Sequence, residues 1–121
     1  MIVLLTGGAG YIGSHVAVEL LQSGYDVIIA DNFYNSSLEV PERIRKITGK
    51  TVRTYNVDIQ NSADLEHIFK QHKINAVMHF AGYKAVGESI QQPLRYYRDN
   101  LGGTLTLLET MSKYQVKDLV F

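Results

Sequence analysis

The stretch Thr6-Gly7-Gly8-Ala9-Gly10-Tyr11-Ile12-Gly13 decides how the rest of the sequence is interpreted. It follows the apolar run 1–5 and opens a segment of helical period, the place that a dinucleotide-binding turn occupies. In such a turn one glycine permits the sharp bend, another lets the backbone approach a pyrophosphate, and a third, here Gly13, lets the helix pack close to the strand. Amide groups at the helix N-terminus face the phosphate charge. The alternative is a plain strand-to-helix turn without a ligand.

Apolar runs of strand length alternate with segments of helical period along the whole chain. Strands are predicted at residues 1–6, 27–30, 52–57 and 76–80, and a fifth begins at 118. Helices are predicted at 11–23, between Pro41 and Gly49, after Asn61, and at 93–114, with a glycine-containing loop after the fourth strand. The alternation predicts an α/β fold, a doubly wound parallel sheet with helices on both faces. We expect this sheet to be truncated after the start of its fifth strand and to be completed by later segments of a longer chain.

Three of the predicted helices carry apolar stripes. The stripes are Ile12, Val16 and Leu20 in the first helix, Leu65, Ile68 and Phe69 in the third, and Leu94, Tyr97, Leu101, Leu105, Leu108 and Met111 in the last. The last stripe faces either its own core or a second copy of the protein. Gly102-Gly103 weakens the middle of that helix by roughly 1 kcal/mol per glycine, which predicts a tightly packed neighbour.

Composition and charge exclude several classes of function. The 121 residues include 12 basic and 12 acidic side chains, so no net field draws the chain to nucleic acid or to an anionic membrane, and we expect neither partner. The absence of cysteine excludes disulfides and thiolate chemistry and is compatible with the cytoplasm, where we expect the protein. The four histidines have no metal-binding spacing, and we expect no metal. No nucleophile elbow or phosphate-binding Gly-Lys-Ser/Thr is present.

Asp31 ends the second predicted strand, eighteen residues after Gly13. A carboxylate at this place accepts hydrogen bonds from the adenosine ribose of a dinucleotide, which favours NAD. A 2'-phosphate would meet its negative charge, and the next basic residue, Arg43, lies beyond the turn that follows the strand. The alternative is an aspartate that only caps a turn.

Two further segments follow predicted strands and are candidates for ligand contact. Asp58-Ile59 comes after the third strand, where its carboxylate and apolar side chain can flank an adenine ring. The run Phe80-Ala81-Gly82-Tyr83-Lys84 comes after the fourth strand, at the sheet edge where ligands bind in open α/β folds. Lys84 can meet a phosphate as a point charge, although a solvated surface lysine is the default interpretation.

The sequence closely resembles the UDP-glucose 4-epimerases, members of the extended short-chain dehydrogenase/reductase superfamily. The resemblance is carried by the stretch 6–13, Asp31-Asn32, His79-Phe80-Ala81-Gly82 and Lys84-Ala85-Val86-Gly87-Glu88-Ser89, and it extends to Tyr96-Tyr97 and to residues 100–104. It implies an NAD-binding Rossmann-like region over residues 1–121.

The resemblance also implies a set of site residues. Gly7, Gly10, Tyr11 and Ile12 are expected to hold the pyrophosphate of NAD, Asp31, Asn32, Asn35 and Ser36 the adenosine ribose and its surroundings, and Asp58 and Ile59 the adenine. Phe80, Ala81, Gly82 and Lys84 are expected to lie along the cofactor towards the nicotinamide, with Val86 nearer the substrate sugar. Asn100 completes the cofactor set, with its neighbour Asp99 as the alternative. Tyr83 stands where relatives often carry leucine, and we expect that difference to be tolerated.

The activity implied is interconversion of UDP-galactose and UDP-glucose through a 4-keto sugar with bound NAD. A tyrosine followed four residues later by a lysine supplies the acid/base pair in this family. None of the eight tyrosines has a lysine at that spacing, so the catalytic residues are expected beyond Phe121. A homodimer is expected for the full-length protein. The rival interpretations are a nucleotide-sugar dehydratase or decarboxylase, which the run 84–89 disfavours, and a non-catalytic NAD-sensing module.

Overall fold

The computed structural model describes residues 1–121 as a five-stranded sheet with flanking helices. The strands are β1 (Ile2–Thr6), β2 (Asp26–Asp31), β3 (Arg53–Asn56), β4 (Ala76–His79) and β5 (Asp118–Val120). The helices are α1 (Tyr11–Gln22), α2 (Val40–Thr48), α3 (Ser62–Gln71), α4 (Val86–Gln91) and α5 (Pro93–Lys113). All the strands and helices predicted from the sequence are present.

The sheet is entirely parallel, with the strand order β3-β2-β1-β4-β5. The chain starts at the centre, builds outward through β2 and β3, and then crosses to β4 on the other side of β1. This reversal beside β1 is the topological switch point of a doubly wound sheet, where ligands bind at the carboxyl ends of the strands. The predicted fold class is therefore confirmed.

Alternate residues of the central strands enter two separate cores, one on each face of the sheet. One core lies under α3 and α5 and consists of Leu4, Ile28, Ala30, Leu65, Ile68, Phe69, Ile74, Val77, Leu107 and Met111. The other lies under α1 and α2 and consists of Val3, Leu5, Ala9, Ala17, Leu21, Val27, Ile29, Ile44 and Val52. The central strands are apolar on both faces, so helices must cover both faces of the sheet to bury them.

The buried face of α1 is not its predicted stripe. Gly13, Ala17 and Leu21 face the core, whereas Ile12 is 58% exposed at the start of the helix. The two small residues let the helix lie close to the sheet, and a periodicity that counts large apolar side chains does not detect them. The stripe of α3 is buried as predicted.

The predicted stripe of α5 lies mostly on the surface. Its five exposed members, with 41–76% of their surface accessible, are Leu94, Tyr97, Leu101, Leu105 and Leu108. The helix instead buries Tyr96, Gly103, Leu107, Thr110 and Met111. Of the two alternatives for this stripe, packing against its own core is wrong for all but Met111, because the helix turns a neighbouring face, which carries Gly103 and Leu107, towards the sheet.

The segment after β4 contains α4, where the sequence predicted only a loop. Its six residues include Gly87 and bury no side chain, so no period marks it. The Gly102-Gly103 pair has the predicted close neighbour, since a Cβ atom at Gly103 would lie 2.8 Å from Ile59 Cδ1.

None of the helices combines the length and the apolar character that a membrane span requires.

Candidate functional site

A crevice crosses the carboxyl edge of the sheet over β3, β2, β1 and β4. It is lined by fourteen of the fifteen predicted cofactor residues, namely Gly7, Gly10, Tyr11, Ile12, Asp31, Asn32, Asn35, Asp58, Ile59, Phe80, Ala81, Gly82, Lys84 and Asn100. Ser36 and Val86 do not line it. The additional lining residues are Gly13, Ala30, Tyr34, Val57, Gln60, Tyr83 and Asp99.

The glycine turn forms the floor of this crevice. Gly7 has φ +68°, and a Cβ atom there would lie 2.5 Å from the backbone nitrogen of Ala81. Gly13 packs against the turn itself, because its Cβ would lie 2.6 Å from the carbonyl oxygen of Gly7. Gly10 caps α1, so the first helical amide groups point out of the helix without partners inside it. A backbone cradle of this kind is suited to a phosphate group.

Asp31 is buried and holds the turn and the loop after β2 together. Its Oδ2 accepts a hydrogen bond from the amide of Ala9 at 2.9 Å, and its Oδ1 accepts from the amide of Phe33 at 2.8 Å and from the hydroxyl of Ser36 at 3.1 Å. A carboxylate accepts about four hydrogen bonds, so one position remains for a ligand. Ser36 therefore acts on the crevice through Asp31.

The loop after β3 borders the crevice beside Asp31. Asp58 accepts a hydrogen bond from the amide of Gln60 at 2.9 Å, which shapes this turn. Ile59 is half-buried against Gly103 of α5 and still lines the crevice. A carboxylate next to an apolar side chain is the arrangement expected for an adenine contact.

Lys84 brings an unpaired positive charge to the other end of the crevice. It is exposed, forms no salt bridge, and lies near enough to His79 to help lower the pKa of that imidazole. Val86, predicted near the substrate sugar, is 75% exposed at the first residue of α4. The crevice thus combines a backbone cradle, a carboxylate at one end and a free cation at the other.

A chain of hydrogen bonds runs beneath the crevice through the buried His79. Its Nδ1 lies 2.6 Å from Thr6 Oγ1, and its Nε2 lies 2.9 Å from Thr104 Oγ1. Thr104 donates its own hydroxyl proton to the carbonyl of Asn100 at 2.9 Å. Thr104 must therefore accept from His79 Nε2–H, and Nδ1 accepts from Thr6. Burial, and secondly the charge of Lys84, lowers the pKa of His79, which keeps the ring neutral.

Asn100 extends this chain to the loop after β4. Its Oδ1 accepts from the amide of Tyr83 at 2.8 Å, and its Nδ2 donates to the carbonyl of Tyr83 at 3.0 Å. Asn100 therefore clamps the backbone that carries Gly82 and Lys84. Asp99, the alternative considered from the sequence, also lines the crevice but points towards Arg95 and Gln60. The structure brings both residues to the site.

Sequence reasoning missed the side chains at the rim of the crevice. Arg95 of α5 lies against the rings of Tyr34 and Tyr83, with its Cζ 5.1 and 4.8 Å from the two ring centroids. The same guanidinium donates to Glu88 at 2.9 Å and lies 3.4 Å from Asp99. No local motif marks such a contact, because its members come from three separate segments.

Comparison with known proteins shows the family of the chain. The model of the NAD dependent epimerase/dehydratase family matches residues 3–121. The chain belongs to this family. Among its relatives is the UDP-glucose 4-epimerase of Schizosaccharomyces pombe, 56% identical over 98% of the chain. The UDP-glucose 4-epimerase of Bacillus subtilis is 52% identical over the whole chain.

Solved structures of epimerase/dehydratase family members have the same fold. The UDP-glucose 4-epimerase of Bifidobacterium longum, solved in complex with NAD+ and UDP, matches all of the chain with a TM-score of 0.98 and 50% identity. The UDP-Glc/GlcNAc 4-epimerase of Campylobacter jejuni matches 99% of it with a TM-score of 0.92 and 31% identity. The chain spans only 34–36% of the length of these four proteins.

Proposed function

We propose that this chain is the NAD-binding part of a UDP-glucose 4-epimerase, which interconverts UDP-galactose and UDP-glucose. The observation that carries the proposal is the crevice at the switch point. It gathers fourteen predicted cofactor residues, thirteen from the segments that follow four strands and Asn100 from α5. The relatives at more than half identity are UDP-glucose 4-epimerases, which supports this substrate over that of a dehydratase or decarboxylase.

The residues of the crevice fit NAD. The cradle has no room for a side chain at Gly7 or Gly13, and the start of α1 after Gly10 offers helix amides to a pyrophosphate. The free acceptor position of Asp31 suits a ribose hydroxyl, and Asp58 with Ile59 suits an adenine. Lys84 supplies a positive charge for phosphate or for the substrate side of the cofactor. NAD, when bound, supplies the chemistry by reversibly accepting hydride from sugar carbon 4.

The chain contributes binding and orientation to this reaction. Asn100 fixes the backbone of the loop after β4 at Tyr83, so Phe80, Ala81 and Lys84 keep their places along the crevice. Proton transfer at the sugar hydroxyl needs an acid/base pair that this stretch of sequence does not contain. We propose that a Tyr-x-x-x-Lys segment within about 40 residues after Phe121 supplies it at the same sheet edge.

Calorimetry with the full-length protein tests the cofactor assignment. We expect NAD to bind and Lys84→Met to weaken NAD or UDP-sugar binding by about tenfold, the scale of losing a charged contact. Lys73→Met removes an exposed lysine away from the crevice and should change neither affinity. If Lys84→Met binds NAD and the UDP-sugar as tightly as the unchanged protein, Lys84 is a solvated surface lysine that contacts neither ligand.

We also propose that the full-length protein is a homodimer that pairs through the exposed stripe of α5. A continuous row of large apolar side chains on one helix marks an interaction surface, and a second copy presents the same row. Leu101→Glu combined with Leu105→Glu places like charges opposite each other and should give a folded monomer by analytical ultracentrifugation. A variant that stays dimeric would place the interface elsewhere.

The cytoplasmic location expected from the sequence stays a prediction.

A further inference from the structure

Three loops that line the cofactor crevice meet at its rim around Arg95. The loop after β2 contributes Tyr34, the loop after β4 contributes Tyr83, and the loop after β3 contributes Gln60, whose Nε2 lies 3.4 Å from Asp99 Oδ1. Arg95 and Asp99 stand one turn apart on α5 and are 3.4 Å apart. The crevice therefore lies under a set of side chains that joins segments from separate strands.

The contacts of this group are strong for a surface feature. The guanidinium of Arg95 faces both aromatic rings, which themselves meet edge to face with centroids 5.0 Å apart. Cation–π contacts of this kind are attractive even when partly solvated. Glu88 fixes the other side of the guanidinium, at 2.9 Å, and also accepts the hydroxyl proton of Tyr96 at 2.9 Å. Arg95 is thus held in place by α4 and by its own helix.

We infer that Tyr34, Arg95 and Tyr83 form a clasp that closes the loops after β2 and β4 over the crevice and slows the release of NAD. Both tyrosines line the crevice, so the two loops cannot part at this point without losing the contacts to Arg95. Arg95 does not line the crevice and acts as a positioning residue through the two rings. The inference rests on the proposed function, because it needs NAD to occupy the crevice.

The side chain of Tyr83 joins the clasp through its ring, which contacts Tyr34, Arg95 and Tyr96. A leucine at this position would keep the backbone clamp of Asn100 but would offer no ring to Arg95 or to Tyr34. The backbone and the side chain of Tyr83 therefore make separate contacts, which substitution can tell apart.

The release rate of a bound dinucleotide tests the clasp. The full-length protein is loaded with NADH, excess NAD is added, and the loss of bound NADH fluorescence gives the dissociation rate. We expect Arg95→Met to raise this rate about tenfold. The rate of Arg95→Lys should lie between those of the unchanged protein and Arg95→Met, because an ammonium group keeps only part of the contact. Arg98→Met removes the same charge from an exposed position of α5 and should leave the rate unchanged.

A second set of variants separates the clasp from general damage to the fold. Tyr34→Leu and Tyr83→Leu should each raise the release rate, whereas Tyr83→Phe keeps the ring and should not. The effects of Arg95→Met and Tyr34→Leu should not add, since both remove the same contact. The clasp would be overturned if Arg95→Met released NADH within twofold of the unchanged protein, or if the effects of Arg95→Met and Tyr34→Leu were fully additive. Either result would leave the cofactor assignment standing. Failure of the unchanged protein to bind NADH or NAD would overturn the proposed cofactor assignment, and the clasp with it.

Discussion

Asp31 has a structural role in addition to the ribose contact that we propose for it. Its position after β2 predicts that contact, and in the structure three protein hydrogen bonds already reach its carboxylate. These bonds link the glycine turn to the loop after β2. Loss of this carboxylate should therefore affect both folding and cofactor binding.

The first prediction concerns the choice between NAD and NADP. We expect the full-length protein to prefer NAD, because a 2'-phosphate would lie beside Asp31 and the guanidinium of Arg43 is paired with Glu39 at 2.7 Å. Arg95 reaches Tyr34 of the same loop, but Glu88 and Asp99 balance its charge. Calorimetry with both dinucleotides checks this, and equal affinities would contradict it.

Replacement of Asp31 with alanine should weaken NAD binding by about 1 to 3 kcal/mol. Part of the loss comes from the glycine turn, which no longer receives the bond to Ala9. Ser36→Ala removes only one bond to the same carboxylate and is the matched control, with an expected loss of about 1 kcal/mol or less in stability. If Asp31→Ala binds NAD as well as Ser36→Ala does, the ribose contact is wrong.

At the scale of elements, the parallel strands meet α5 through His79. Thr104→Val leaves His79 Nε2–H buried without an acceptor, so we expect about 1–3 kcal/mol less stability. Thr106 is the matched control, because its hydroxyl bonds only to Gly102 of its own helix at 3.0 Å, and Thr106→Val should have little effect. Denaturant unfolding of the full-length protein with each substitution measures the two losses of stability. Equal losses for Thr104→Val and Thr106→Val would show that His79 needs no hydrogen-bond acceptor at Thr104.

The same histidine predicts a pH dependence. Its pKa is lowered in the folded protein, mainly by burial and secondly by Lys84, whereas an unfolded histidine titrates near about 6.5. As the pH falls below that value the unfolded state takes up a proton first, so the free energy of unfolding should fall. His72, whose pKa is also lowered mainly by burial, adds to the slope. His79→Gln and His72→Gln should each make the free energy of unfolding depend less steeply on pH. An unchanged pH dependence for His79→Gln would contradict a neutral His79 in the folded protein.

Two adjacent glycines of α5 allow a sharper comparison. A Cβ at Gly103 would lie 2.8 and 2.9 Å from two carbon atoms of Ile59, whereas one at Gly102 would lie 3.4 Å from Gln60 Oε1. Gly103→Ala should displace Ile59 and weaken NAD binding, while Gly102→Ala should stabilise the helix by about 0.5–1 kcal/mol. Calorimetry and thermal unfolding separate the two effects. Equal NAD affinities would show that Ile59 does not flank the adenine.

Much of the fold could be predicted from sequence because its signals are local. Continuous apolar strands, Pro41 and Gly49 around α2, and Asn61 at the start of α3 each act within a few residues, and Asn61 indeed accepts from the amides of Ala63 and Asp64. The same holds for the glycine turn. The buried face of a helix was harder to predict. In α1 it includes the small residues Gly13 and Ala17, and in α5 it includes Gly103 and Thr110, and an apolar period does not count such residues.

The site followed the same division. Its backbone cradle and strand-end acids are encoded by spacing and were predicted. The hydrogen bonds that Asp31 accepts from the glycine turn, the clamp of Asn100 on Tyr83, and the contacts of Arg95 depend on which loops meet in space. They arise from segments far apart in the sequence, where no periodicity or short motif acts.

For the whole molecule, we propose that this chain holds NAD for an epimerase whose acid/base residues lie outside residues 1–121. The chain covers about a third of the length of its relatives. It lacks any tyrosine with a lysine four residues on. A tyrosine needs such help because its ordinary pKa is about 10. Cofactor binding alone would not move the proton.

The most direct test is a coupled assay for conversion of UDP-galactose to UDP-glucose, run on the full-length protein and on residues 1–121 alone. We expect turnover by the full-length protein and none above background by the 121-residue chain. A full-length variant with phenylalanine in place of the tyrosine of the Tyr-x-x-x-Lys segment should lose turnover while still binding NAD. A full-length protein that binds NAD but converts no UDP-galactose, or one without that segment, would contradict the epimerase and favour an NAD-sensing module.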